Sequence, residues 1–378
     1  MRVLVVIGTR PEAIKLAAVV EALRARPEFE PVVLATAQHR ELLDQVLELF
    51  EIAPDFDLDI MEHGQSLSRI TSRVLDGVSD ILRDGGYAAM VVHGDTTSTF
   101  AASLAAFYQR VPVAHVEAGM RTGNPEHPFP EEIIRSMVAR IARWHFAPSD
   151  ECQANLLREN IEESRVYCTP GNTVIDALLE AAQMPYEFPP GEISAVLDSG
   201  KRVVLVTAHR RESWGAPMEA IFRAVHRLAE TRADTRFLLA THSNPLVADA
   251  AHRILGNTGG VTIIGPQNYL PFVKLMARAD LILTDSGGIQ EEGPALGSPV
   301  VVLRNVTEYG ELLEAGAIAL AGTAEDRIVA TVSALLDDES ARQRMVRAGE
   351  ARVHGGAAGF IAEVLAKDLT EGADVDAH

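Results

Sequence analysis

Carboxylates fall at the ends of several apolar runs in the first half of the chain. "VVHGDTTST" presents His93 and Asp95, "VAHVEAGMRTG" presents His115, Glu117 and Arg121, and "FPEEIIR" opens with Glu131 and Glu132 behind Pro130. Acids gathered on one rim can take a proton from one face of a substrate and deliver one to the other. Some of these acids also have a structural reading. Asp95 suits an N-cap, and Glu131 and Glu132 suit dipole complements of a first helical turn. Glu117 has no helix to cap, because it stands between a strand and a glycine. His93 and His115 read as core histidines, since neither HExxH nor His-x-His spacing accompanies them. No metal site is expected.

Groups suited to an anion recur at other strand ends. In "GTRPEAIK", Gly8 to Lys15, the apolar run "VLVVI" stops at a glycine. Thr9 is a candidate N-cap and Pro11 stands in the first helical turn. Arg10 then projects beside a helix N-terminus, where anions bind well. The segment is neither GxGxxG nor GxxxxGK[ST], so neither the dinucleotide fingerprint nor the P-loop applies. In the second half, "VVLVTAHRRESWG" exposes His209, Arg210 and Arg211, a cationic group suited to a phosphate. "LILTDSGGIQEEG" ends a strand at Asp285 and opens a helix with Ser286, Gly287 and Gly288. Bare glycine backbone lets a phosphate reach N–H groups, and the acids a turn later, Glu291 and Glu292, can accept from ribose hydroxyls. An ordinary capped turn is the other reading of that stretch.

Such residues need strands to carry them. Runs at 3–7, 31–36, 88–93, 111–116, 144–148 and 165–169 form one series, and runs at 202–208, 236–241, 261–265, 280–285 and 300–303 a second. They are continuous and rich in β-branched residues, as parallel strands covered on both faces are. Stretches of helical length, such as 66–84, 96–108, 131–143 and 216–230, lie between them. The alternation predicts α/β with parallel sheets, in two doubly wound halves whose strand ends face a ligand. The Pro- and Gly-rich stretch 184–200 reads as the connection between them. Domains are expected at 1–170 and 171–357, with a helix at about 358–370 that packs back on the first.

The bulk numbers set limits. A chain of 378 residues suggests two domains. Its net charge of −19 argues against nucleic acid as a partner, although a local arginine cluster still suits a diphosphate. No apolar stretch approaches the ~18 residues of a membrane span, and "VLVVI" is too short for a signal-peptide core. Two cysteines, Cys152 and Cys168, make neither a disulfide framework nor a zinc site. The expected compartment is the cytoplasm, with no membrane partner.

With these residues assembled, the chain resembles the non-hydrolysing UDP-N-acetylglucosamine 2-epimerases. The resemblance rests on "GTRPEAIK", "TAQHRELLDQVL", "VHGDTTST", "HVEAGMRTG", "PEEIIR", "GNTVIDAL", "HRRES", "YLPFVKLM" and "TDSGGIQEE", collinear along the chain. It implies the GT-B architecture, two Rossmann-like domains facing a central cleft. It also implies interconversion of UDP-GlcNAc and UDP-ManNAc, by elimination of UDP to 2-acetamidoglucal and re-addition, with no cofactor. By the same resemblance Asp95, Glu117 and Glu131 are the acid/base set, with His209 near the diphosphate. Arg10 and Lys15 are phosphate-side residues, Ser286, Gly287 and Gly288 the diphosphate cradle, Glu292 the ribose acceptor, and Phe272 lies where the backbone meets uracil. Gln38, Glu131, Arg210 and His242 match a pocket where the family binds a second UDP-GlcNAc as activator. The ligands implied are UDP-GlcNAc, UDP-ManNAc and UDP, the assembly a homodimer, and the product a precursor of a polysaccharide or of a specialised metabolite such as an antibiotic sugar. Two departures stand out. "TEYGE" (307–311) replaces the family's T-E-R-P-E, so Tyr309 and Gly310 take the place of an arginine and a proline, and Ala208 replaces a glycine. Alternatives are a GT-B glycosyltransferase, a hydrolysing epimerase that releases ManNAc and UDP, and a non-catalytic nucleotide-sugar sensor.

Overall fold

The computed structural model describes residues 1–36, 40–60, 62, 64–241 and 244–375, with only the backbone at 40–42 and 372–375. The chain forms two compact units, Met1–Ala177 with Gly355–His378, and Leu178–His354. The division falls inside the helix Thr173–Gln183, ahead of the Pro- and Gly-rich stretch. Residues 184–200 belong to the second unit and include a short helix, Glu192–Leu197.

Among the described residues the first unit holds seven parallel strands: β1 (Arg2–Ile7), β2 (Glu30–Ala35), β3 (Phe56–Asp57), β4 (Tyr87–His93), β5 (Val113–Val116), β6 (Trp144–Ala147) and β7 (Val166–Cys168). Their order is β3-β2-β1-β4-β5-β6-β7. The second unit holds β8 (Arg202–Thr207), β9 (Thr235–Ala240), β10 (Val261–Ile264), β11 (Leu281–Thr284), β12 (Val300–Val302) and β13 (Ile318–Leu320), in the order β10-β9-β8-β11-β12-β13. Both are doubly wound, and in each the winding reverses beside the first strand. The crevices open at the carboxyl ends of β1 and β4, and of β8 and β11.

The physical basis is the one the patterning implies. Val3, Leu4, Val5, Val6 and Ile7 are all buried, because helices cover both faces of the sheet. In the second unit Val204 and Val206 pack with Ile221, Phe222 and Val225 of the helix Ala216–Thr231. Two strands escape the sequence pattern, β3 of two residues, both exposed, and β13 of three, of which Ile318 is buried. Both are edge strands too short to show a period.

The terminal helix Ala357–Val375 belongs to the first unit, where it packs against the helix Arg10–Arg24. Asp176 receives the N–H of Ala358 at 2.8 Å and that of Gly356, an N-terminal cap supplied from another helix. Asp368 accepts from the Trp144 indole at 2.7 Å and the Tyr167 hydroxyl at 3.1 Å, so the helix is fixed by polar bonds to β6 and β7. None of the described helices is long and apolar enough to cross a membrane.

Candidate active site

Parallel register brings the first unit's acids together. His93, the last residue of β4, lies opposite Val116, the last of β5, so Gly94 and Asp95 start beside Glu117. Glu117 has φ +62, a left-handed conformation that a non-glycine residue adopts at a cost of about 1–3 kcal/mol. That turn sends its side chain to Lys15, whose Nζ donates to Oε1 at 2.5 Å. Asn172 Nδ2 donates to the same oxygen at 3.1 Å, and His93 Nε2 lies 3.2 Å from Oε2. A Cβ on Gly94 would stand 3.9 Å from Oε2. Burial alone would raise the pKa of Glu117, but the Lys15 ammonium and the His93 ring hold it well below the usual carboxylate range.

The other two acids are treated differently. Asp95 is not the N-cap, since Thr96 caps the helix Thr97–Tyr108 with its own hydroxyl. Its carboxylate instead accepts from Arg135 Nε at 2.7 Å. Arg135 stands one helical turn beyond Glu131, on the same face of Glu131–Ile141, so that face turns toward Asp95. Glu131 keeps a buried carboxylate oxygen, Oε2, with no hydrogen-bond partner among the described residues. Its neighbour Glu132 is spent on structure: it accepts from the N–H groups of Thr122 and Gly123 at 3.0 and 2.9 Å, and from Arg135 at 3.2 Å. Those bonds outweigh burial and lower its pKa.

Of the two histidines taken as core residues, His115 is one. Its Nε2 lies 2.7 Å from the Gly94 carbonyl, and burial lowers its pKa to about 4. His93 is not inert packing, given its place against Glu117.

At the β1 turn, Arg10 is the first residue of the helix Arg10–Arg24 and Thr9 its N-cap, with Pro11 next. Lys15, expected on the phosphate side, is engaged by Glu117. The turn is held by Glu12, which is 3% exposed. Its Oε2 accepts from the N–H groups of Gly8 and Thr9 at 2.6 and 2.8 Å, and its Oε1 from the hydroxyls of Thr96 and Thr99 at 2.7 and 3.2 Å. One buried carboxylate thus clamps the two loops of the switch point. Sequence reasoning passed over Glu12, Asn172 and Arg135. The T-x-x-E spacing of a capping box was the available sign for Glu12.

The second unit builds a cavity of about 290 Å³ lined by His209, Phe272, Ser286, Ile289 and Glu292 together with Thr207, Thr241 and Gln267. Thr207 and Thr284 share a hydrogen bond of 2.7 Å at the ends of β8 and β11, so the next residues of both strands open at the same point. Asp285, fully buried, accepts from the N–H of His209 at 2.9 Å and of Arg210 at 2.9 Å, which fixes the cationic loop. The His209 ring stands with Nδ1 3.5 Å from Asp285.

Ser286 is the N-cap of the helix Gly287–Ala295, and its side chain makes no cap bond. A Cβ on Gly287 would come within 2.9 Å of Glu308 Oε1 and 3.1 Å of Arg210 Nη2, so only glycine fits there without a shift. Gly288 would place a Cβ 3.4 Å from Glu292 Oε1. The Arg210 guanidinium is 3.3 Å from Glu212 and 3.8 Å from Glu308. Tyr309 caps the short helix Gly310–Glu314 where the resemblance expects arginine. Gln38 and His242 lie outside the described residues.

Two Rossmann-like units, one with acids at its switch point and one with an open helix N-terminus at its own, define the GT-B class of α/β proteins. The sequence pattern of UDP-N-acetylglucosamine 2-epimerase matches residues 21–366. A relative from Escherichia coli K12, named UDP-N-acetylglucosamine 2-epimerase, is 50% identical over 370 residues, 97% of this chain and 98% of its own. One of the same name from Bacillus subtilis 168 is 45% identical over 367 residues, 97% of this chain and 95% of its own. The crystal structure of UDP-GlcNAc 2-epimerase from Neisseria meningitidis, bound to UDP-GlcNAc, superimposes with a TM-score of 0.87 at 42% identity, covering 97% of this chain and all of that one. The chain belongs to the UDP-N-acetylglucosamine 2-epimerase family.

Proposed function

We propose that the protein interconverts UDP-GlcNAc and UDP-ManNAc by eliminating UDP and, after protonation of C2 from the other face, adding it back at C1, without net hydrolysis. C2 of the hexose has no adjacent carbonyl to stabilise a carbanion, so removing its proton must be coupled to departure of a leaving group. A carboxylate takes the C2 proton, the C–H electron pair becomes the C1–C2 double bond, and the C1–O bond breaks with its electrons on the diphosphate. For return, a second acid protonates C2 from the opposite face and the diphosphate oxygen re-forms the bond at C1.

The observation supporting this reading is the unequal treatment of the acids on one rim. Glu117 is held as an anion by the Lys15 ammonium, while Glu131 has a buried oxygen without a hydrogen-bond partner among the described residues, on a helix face turned toward Asp95. An acid and a base on opposite faces call for carboxylates in different surroundings. In the second unit His209, with the open helix N-terminus at Ser286, Gly287 and Gly288, offers N–H groups to the departed diphosphate, and in the first unit Arg10 stands at a helix N-terminus of the same kind. Phe272 and Glu292 line the same cavity as His209 and Ser286, positions suited to uracil and ribose. The relative from Neisseria binds UDP-GlcNAc, which supports this substrate.

The test is UDP-GlcNAc carrying ¹⁸O in the bridge between C1 and the β-phosphorus. Full departure of UDP lets the β-phosphate rotate, so the label scrambles into non-bridging positions during turnover. Epimerisation with the bridge label intact refutes elimination. UDP accumulating in step with ManNAc favours the hydrolysing alternative.

A further inference from the structure

Lys15 is placed to serve Glu117. The two are 102 positions apart in sequence, yet the ammonium lies 2.5 Å from Oε1, with both side chains largely buried. The groups facing the carboxylate come from four elements. Lys15 comes from the helix Arg10–Arg24, His93 from the end of β4, and neutral Asn172 from the turn before the helix Thr173–Gln183. The fourth is Cys152 of the helix Asp150–Arg158, whose thiol is raised chiefly by burial and in part by the charge of Glu117. Of these the Lys15 ammonium lies nearest the carboxylate, at 2.5 Å against 3.2 Å for the His93 ring. A buried carboxylate without such a partner protonates.

We propose that Lys15 is a positioning residue that keeps Glu117 ionised and aimed, so that the base survives mildly acidic pH. The left-handed backbone at Glu117 sets where its side chain leaves the β5 turn, and the ammonium sets where the carboxylate stops. Lys15 stands one turn beyond Arg10, so the helix that offers its N-terminus to an anion also carries the counter-ion of the base. The inference rests on Glu117 acting in proton transfer. It gives Lys15 a task separate from holding the diphosphate.

The test is the pH dependence of kcat/KM with UDP-GlcNAc in the wild type, Lys15→Met, Lys15→Arg and His93→Gln, with UDP affinity measured by calorimetry. Removing Lys15 raises the pKa of Glu117, so the acid limb moves to higher pH, by about 1–3 units for loss of an adjacent opposite charge. Lys15→Arg restores most of the wild-type profile. His93→Gln moves the limb less than Lys15→Met does, because the ammonium remains. Should Lys15→Met keep the wild-type profile while UDP affinity falls, Lys15 is a phosphate ligand and the inference fails. A shift in His93→Gln as large as in Lys15→Met also overturns it, and if Lys15→Met does not fold, a shift of about 1–3 units in His93→Gln, with the ammonium still in place, overturns it as well. Glu117→Gln separates the two levels. Wild-type turnover in that variant refutes the base itself, whereas an inactive Glu117→Gln beside an unmoved Lys15→Met profile refutes only the role of Lys15.

Discussion

Replacing Glu12 tests whether one buried carboxylate holds the switch point together. Four donors converge on it: two backbone N–H groups from the β1 turn and two threonine hydroxyls from the start of the helix Thr97–Tyr108. In Glu12→Ala the hydroxyls keep other partners. Thr99 still donates to the His93 carbonyl at 2.7 Å, and Thr96 still lies 3.0 Å from Thr99 Oγ1. Among the described residues the N–H groups of Gly8 and Thr9 have no such second acceptor, and an unsatisfied buried donor costs about 1–3 kcal/mol. Relief from burying a charge offsets part of the loss, which leaves about 3 kcal/mol for the pair. At about 2–4 °C per kcal/mol for a unit of this size, the melting point falls by about 6–12 °C. Glu12→Gln should lose far less, about 1 kcal/mol, because the amide oxygen accepts from the two N–H groups while its NH₂ donates to the hydroxyls. Thermal unfolding followed by fluorescence of Trp144, buried in the same unit, reads both variants. An alanine variant melting within about 2 °C of wild type, or a glutamine variant as damaged as the alanine one, refutes the clamp.

Other consequences follow from the same geometry. Asp95→Asn and Glu117→Gln each lower turnover by ~10²–10⁴-fold while UDP binding by calorimetry survives; wild-type rates remove that residue from the mechanism. Asp285→Asn places an amide NH₂ against the N–H groups of His209 and Arg210, and UDP affinity should fall by about tenfold, the effect of about one lost hydrogen bond. His145, fully buried, has its pKa lowered by burial to about 3. Its folded pKa lies below the unfolded one, so its contribution is complete above about pH 6.5 and is lost as pH falls toward the folded pKa. In His145→Leu the drop in unfolding free energy between pH 7.5 and 5.5, measured in urea, should shrink by about 1.4 kcal/mol. Tyr309→Arg should tighten UDP binding if the cation absent from 307–311 served the nucleotide, and unchanged affinity retires that idea.

Much of this was legible in the sequence because a buried parallel sheet announces itself. Five buried residues in a row at β1 and an equally apolar β8 leave few other readings. The edge strands β3 and β13 gave no such sign, having too few residues to establish a pattern. At the candidate site, strand ends followed by chemistry-bearing residues single out Asp95, Glu117, His209 and Ser286 as the residues to test. Partners were harder. Lys15 meets Glu117 and Asp176 caps Gly356 through contacts that no local spacing encodes. Asp95 and Glu132 show the converse, since the same sequence sign, an acid at a helix start, led to an Arg135 partner in one and a loop anchor in the other. Only the packing of helix on sheet decides between them.

The most direct test of the central claim is turnover of UDP-GlcNAc in heavy water, read by NMR at C2. Proton removal by one acid and delivery by another predicts UDP-ManNAc with deuterium at C2 and no acceptor or added cofactor needed. Epimer formed with its original C2 hydrogen, or no epimer beside tight UDP-GlcNAc binding, contradicts the account.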